Sequence, residues 1–140
     1  MTAQTINGFR RPTREESLNK ILAYANDPKK YFVESAYSDG KGCRCAVGVL
    51  FSPAQLRDIW HRDLGEADVF SLAESIGTDN IEFVTGLKVA ELMMLQECSD
   101  NGWLPNQQPA PSRKAAVRAA VAQLRKSKSS KKNKELHDGN

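Results

Sequence analysis

Cys45-Ala46-Val47-Gly48-Val49-Leu50-Phe51 is the stretch on which the fold class turns. Such an apolar run belongs in a core, and its length alone fits a buried strand as well as a buried helix. The small residues Ala46 and Gly48 favour a short, tightly packed helix. Upstream, residues 34–44 show no helical periodicity, and Asp39-Gly40-Lys41-Gly42 is a turn signal, so a short β-hairpin or an ordered loop is expected there. Downstream, Ser52-Pro53-Ala54-Gln55 opens a helix, with Ser52 as N-cap, proline in the first turn and glutamine in the capping-box position. The central run thus sits between a loop and a helix start, in a mainly α domain.

The same reading extends outward on both sides. Thr13-Arg14-Glu15-Glu16 is a capping box for a helix with Leu18, Ile21, Leu22 and Ala25 on one face. Asn26-Asp27-Pro28 stops that helix, because a residue before proline avoids the α region. Tyr31, Phe32 and Val33 form an apolar patch against its end. After Ser52, Leu56, Ile59, Trp60 and Leu64 are expected to face inward, with Gly65 ending the helix. A short helix follows over 66–76, closed by Gly77. Thr78 or Asp79 then caps one long central helix carrying Phe83, Leu87, Ala90, Met94 and Cys98, with Val84, Leu92 and Leu95 widening the stripe. Asn101-Gly102 ends it, and Trp103 and Leu104 are expected to fold back on the core.

The expected organisation is a flexible N-terminus (1–10), a compact helical domain (11–104), an extended proline-rich linker (105–111), a basic amphipathic helix (112–126) and a disordered basic tail (127–140). A chain of 140 residues with 40% apolar and 26% charged residues suits one core. No stretch approaches the ~20 apolar residues of a membrane span, and residues 1–14 hold no apolar signal segment. A cytoplasmic location without membrane partners is expected.

The formal charge of +3 is unevenly spread. From Ser112 onward nine basic residues oppose only Glu135 and Asp138, whereas the preceding part carries 11 basic and 15 acidic residues. Basicity therefore belongs to the C-terminal helix and tail, where Arg113, Lys114, Arg118, Arg125 and Lys126 are candidates for contacts with nucleic acid or an acidic partner. That region has no aromatic residue, so base stacking from it is excluded. Asp58, Asp63, Glu66 and Asp68 interleave with Arg57 and Arg62, the pattern of a solvated face.

Cysteines number three, Cys43, Cys45 and Cys98, and fit free thiols in a reducing compartment. The close pair is C-x-C and only His61 and His137 could add imidazole, so neither a metal site nor a cofactor is expected. No Walker loop or dinucleotide fingerprint is present.

The segment from Tyr37 to Leu50 resembles a group of small, functionally uncharacterised phage and bacterial proteins that share an aromatic residue, a D-G turn and then C-A-[IV]-G-x-L. The group also carries L-Q-x-x-H-D on a later helix, and Leu95-Gln96-Glu97-Cys98-Ser99-Asp100 matches except that Ser99 stands in place of histidine. The resemblance covers residues 37–100 and implies a shared fold and a mobile-element setting more than an activity.

Three functions follow as expectations. The leading one is a non-enzymatic accessory protein that binds a host protein or a small anionic ligand, with Asp39, Lys41, Arg44 and Cys45 as the site and free N–H groups at a helix start helping to hold the anion. The second is a cysteine hydrolase or transferase, with Cys45 activated at a helix N-terminus beside Arg44 and His61 as base. The histidine implied by the resemblance is Ser99 here, which weighs against that chemistry; the small residues at Cys45, Ala46 and Gly48 are equally those of a close crossing. The third is a nucleic-acid binder acting through the basic helix and tail.

Overall fold

The computed structural model describes the backbone of residues 5–6 and 9–138 and the side chains of residues 11–126. Within it the chain is mainly helical, with six α-helices: α1 (Arg14–Ala25), α2 (Pro53–His61), α3 (Val69–Ile76), α4 (Thr78–Thr85), α5 (Val89–Asn101) and α6 (Arg113–Asp138). Two-residue strands β1 (Thr5–Ile6) and β2 (Phe9–Arg10) pair antiparallel ahead of α1. The side chains of 1–10, expected to be flexible, and of 127–140, expected to be disordered, lie outside the described residues.

The helix starts obey local chemistry. Thr13 Oγ accepts from the Glu16 amide at 3.1 Å and the Glu16 carboxylate accepts from the Thr13 amide at 2.9 Å. Ser52 and Gln55 make the same reciprocal pair at 3.1 and 2.8 Å. Each satisfies two amides that a helix start leaves without intrahelical partners. Asp68 caps α3 by accepting from the Ser71 amide at 2.7 Å, so the helix expected over 66–76 begins three residues later, at Val69.

In the middle of the chain one open expectation is resolved and two change. Residues 34–44 form an ordered loop rather than a hairpin: Arg44 makes isolated bridges to Phe32 and Ser38 and no ladder extends them. The apolar run after Cys45 is neither strand nor full helix but a single 3₁₀ turn, Gly48–Leu50. Gly48 is required by space: a Cβ there would lie 1.9 Å from the Tyr37 carbonyl oxygen, because the loop backbone crosses directly over it. The single central helix is two, α4 and α5, separated where Gly86 adopts a left-handed φ of 72°. A Cβ at Gly86 would meet the Pro12 carbonyl oxygen at 2.7 Å, so the chain before α1 packs against the break.

The C-terminal part is also revised. Residues 105–111 are not an extended linker. Leu104 donates to the Gln108 carbonyl at 2.8 Å and Ala110 to the Gly102 carbonyl at 3.0 Å, closing a compact turn that brings α6 back onto α5. Ala116, Val117, Ala120, Val121 and Leu124 are all buried, alongside Leu18 and Ile21 of α1 and Leu92 and Leu95 of α5 in one core. At ~1.5–3 kcal/mol for each fully buried large aliphatic side chain, such docking is a substantial part of the fold. The helix expected to be tethered outside a domain ending at residue 104 is therefore part of that domain. Polar contacts set its direction: Lys114 reaches the Asp27 carbonyl at 2.8 Å at the end of α1, and Arg125 reaches Glu15 at 2.6 Å at its start. α6 thus runs antiparallel to α1.

Candidate functional site

The two halves of the motif pattern meet inside the protein. From α5, Ser99 Oγ accepts from the Ala46 amide at 3.2 Å, Gln96 Oε1 from the Val69 amide at 2.8 Å and Asp100 Oδ1 from the Ser35 amide at 3.2 Å. Three side chains within five residues thereby satisfy amides of three separate segments, in or beside the core. Burial pushes the Asp100 carboxyl above its ordinary range, with the Ser35 amide acting against that. Ser99 is fully buried, so the position at which the resembling pattern carries histidine lies directly against the Cys45–Ala46 peptide.

Cys45 sits in this seam at 1% exposure. Burial pushes its thiol up to about 12, with the amides of Gly48, Val47 and Cys45 itself acting in the opposite direction. No long helix begins here, so the expected activation by a helix dipole is absent. The amides imagined as an anion cradle are already used. Cys45 donates to the Tyr37 carbonyl at 3.3 Å, Ala46 to Ser99, and Gly48 to Cys45 Sγ at 3.3 Å. Arg44 turns inward, donating to the Phe51 carbonyl at 2.7 Å and, more weakly, to the Gly48 carbonyl at 3.5 Å.

The preceding loop is held by its own aspartate. Asp39 Oδ1 accepts from the Lys41 amide at 2.7 Å and the Cys43 amide at 3.0 Å. Those amides, the Lys41 one foremost, hold its carboxyl below the usual range. Asp39 is therefore the closure of the D-G turn, the role that short acidic side chains take in turns. Lys41 projects outward and takes no part in the cavity described next.

Between this loop and α2 lies a cleft of about 520 Å³. Asp39, Gly40 and Arg44 line one wall, and Leu56, Arg57, Trp60 and His61 of α2 the other. The walls are tied together where the Tyr37 amide donates to the Gly65 carbonyl at 3.1 Å. The cleft brings His61 to the same cavity as Asp39 and Arg44, but Cys45 does not line it. A Cys45–His61 couple is thus not assembled.

Trp60, expected to face the core, is instead 60% exposed. Its neighbour Ile59 is the residue that turns into the core. The end expected at Gly65 also differs: Asp63 takes the left-handed conformation (φ 59°), and the Leu64 amide bonds back to the Ile59 carbonyl at 3.0 Å. Gly65 lies against the edge of the indole, where a Cβ would come within 2.4 Å of the benzo ring. The mixed-charge run also divides: Arg62 pairs with Asp58 at 3.0 Å, whereas Arg57 and His61 have no hydrogen-bond or ion-pair partner among the described residues. Arg57 and Trp60 are the site residues that sequence reasoning missed. A helical i, i+3, i+4 grouping of Arg57, Trp60 and His61 was the available signal.

The basic set of α6 is largely engaged within the protein. Arg113 pairs with Glu34 at 2.9 Å, Lys114 bonds the Asp27 carbonyl, Arg118 reaches Asn26 at 3.3 Å, and Arg125 bonds Glu15 and Asn19. Only Lys126 of the five is without such a partner among the described residues. Also among the described residues, no helix is long and apolar enough to cross a membrane, and no group of three His, Cys, Asp or Glu side chains is placed to hold a metal. No protein-family model, curated protein or solved structure matches this chain.

Proposed function

We propose that this protein is a non-enzymatic binding protein that takes a small anionic ligand in the cleft between loop 37–44 and α2. The observation that carries the reading is the pair Arg57 and His61, exposed on one face of α2, lining the cleft and left unpaired while the neighbouring Arg62 is neutralised by Asp58. A preformed concavity with an apolar wall and a few convergent polar groups is the usual form of a small-ligand site. The wider setting, an accessory protein of a phage or mobile element, rests on the resemblance carried by residues 37–100. A host protein would use the same cleft by presenting an acidic segment to it.

The other two readings have less support. A cysteine enzyme would need a reachable, ionisable Cys45, and the thiol is buried with its pKa raised. A nucleic-acid surface on α6 would need Arg113, Lys114, Arg118 and Arg125 to leave partners on α1, α5 and the loops.

The test is a titration of the ¹⁵N-labelled protein with inorganic phosphate and with a phosphorylated sugar at low salt, followed by amide shifts. Shifts confined to the cleft residues, weakened at least tenfold by the double substitution Arg57→Gln and His61→Gln, are expected. Shifts elsewhere, or none, would overturn the reading.

A further inference from the structure

Resting on the proposed anion site, we infer that its ligand is of nucleotide type: a flat nitrogen heterocycle carrying a phosphate, with the ring on Trp60 and the phosphate at Arg57 and His61. The cleft meets a bare anion with Arg57 and His61 alone. Its loop amides at Lys41 and Cys43 are taken by Asp39, and Arg44 spends hydrogen bonds on the Phe51 and Gly48 carbonyls. What it offers besides a guanidinium and an imidazole is a flat apolar surface. Trp60 is exposed, and the edge of its benzo ring abuts Gly65, so the indole is braced by backbone at one edge while much of the side chain stays open.

An indole held in this way loses little conformational freedom on binding, which favours a stacked planar ligand. Aromatic stacking of a base is worth ~1–3 kcal/mol. Arg57 and Trp60 are three residues apart and Trp60 and His61 are adjacent, so the indole, the guanidinium and the imidazole act from one turn of α2. The other wall adds polar edges. Gly40 has open space where a side chain would be, and with its amide donated to Ser38 Oγ at 3.0 Å this stretch of wall has carbonyl acceptors rather than amides left for the heteroatoms of a ring. A purely hydrocarbon ring would use the indole and leave that wall unanswered.

The experiment uses the full chain with Trp103→Phe, so that Trp60 is the one tryptophan reporting. The four mononucleotides, the matching nucleosides and ribose 5-phosphate are titrated by fluorescence and calorimetry. At least one mononucleotide is expected to quench Trp60 and to bind tenfold or more tightly than either its nucleoside or ribose 5-phosphate. Trp60→Ala should remove most of that advantage and Trp60→Phe should retain part of it, read as the ratio of mononucleotide to ribose 5-phosphate affinity. If ribose 5-phosphate binds as tightly as every mononucleotide, the nucleotide inference fails and the anion site stands. If nucleosides bind as tightly as nucleotides, the ring is right and the anion site is wrong. Absence of binding by the whole set overturns both.

Discussion

The seam between α5 and the Cys45–Phe51 run and the cleft between the loop and α2 both hold side chains capable of chemistry and do opposite things with them. In the seam, Ser99, Gln96 and Asp100 each accept an amide from another segment, and the Cys45 thiol accepts one from Gly48. In the cleft, Arg57 and His61 are unspent and Trp60 is uncovered. A reactive residue type is therefore no guide to function until its partners are known. Buried polar groups are costly unless paired, so the seam reads as architecture and the cleft as opportunity.

Substitutions should separate the two regions sharply. The largest effect belongs to Gly48→Ala in the seam. The added methyl would sit 1.9 Å from a backbone carbonyl oxygen, which cannot swing aside as a side-chain tip can. A loss of ~3 kcal/mol or more is expected, at the upper end of overpacking costs, read from the urea midpoint or as failure to fold. Next comes Ser99→Ala, which leaves the buried Ala46 amide without its acceptor and should cost ~1–3 kcal/mol in the same measurement. A variant as stable as the parent would mean that Ser99 does not tie the two motif halves together.

The third prediction concerns pH. Folded Cys45 titrates at about 12 because burial penalises the thiolate, whereas an unfolded thiol titrates at about 8.5. Between those values the unfolded state has released a proton that the native state keeps, so stability falls as pH rises, by at most ~1.4 kcal/mol per pH unit. Cys98, raised to about 11, acts with the same sign. Melting curves from pH 7.5 to 10 should slope downward, and Cys45→Ala should flatten that slope. An unchanged slope would remove Cys45 from the seam's electrostatics. Native alkylation of Cys45 should be slow and should accelerate in urea.

The smallest stability effect lies in the cleft. Arg57→Gln with His61→Gln should move the urea midpoint by no more than ~0.5 kcal/mol, the range of exposed substitutions away from special features. The same variant should lose phosphate binding tenfold or more. A destabilised variant would show that the two side chains belong to the architecture after all, and the contrast between the regions would collapse.

Much of the fold is legible in the sequence where the deciding partner is three or four residues away. Thr13 with Glu16 and Ser52 with Gln55 set two helix starts, and Gly77 and Gly102 mark two helix ends. The apolar spacing of Val117, Val121 and Leu124 marks the buried side of α6. Of the site, Asp39, Arg44 and His61 were visible as candidates and do share a cleft, but Arg57 and Trp60 were hidden in a run read as solvated face and core.

What the sequence by itself determined is the mainly helical class, the capped helix starts and the apolar stripes, because hydrogen bonds and periodicity within a few residues suffice for those. Tertiary structure alone decided the rest. Gly86 breaks a periodic helix where Pro12, over seventy positions earlier, packs against it, and Gly48 yields to the backbone of Tyr37. α6 joins the core because α1 and α5 supply both its apolar bed and the acceptors for its cations. Trp60 shares a cleft with loop 37–44 because α2 and that loop are held together where the Gly65 carbonyl accepts from the Tyr37 amide. Each of these depends on groups far apart in the chain, and their contact energies do not exist until the chain has closed upon itself.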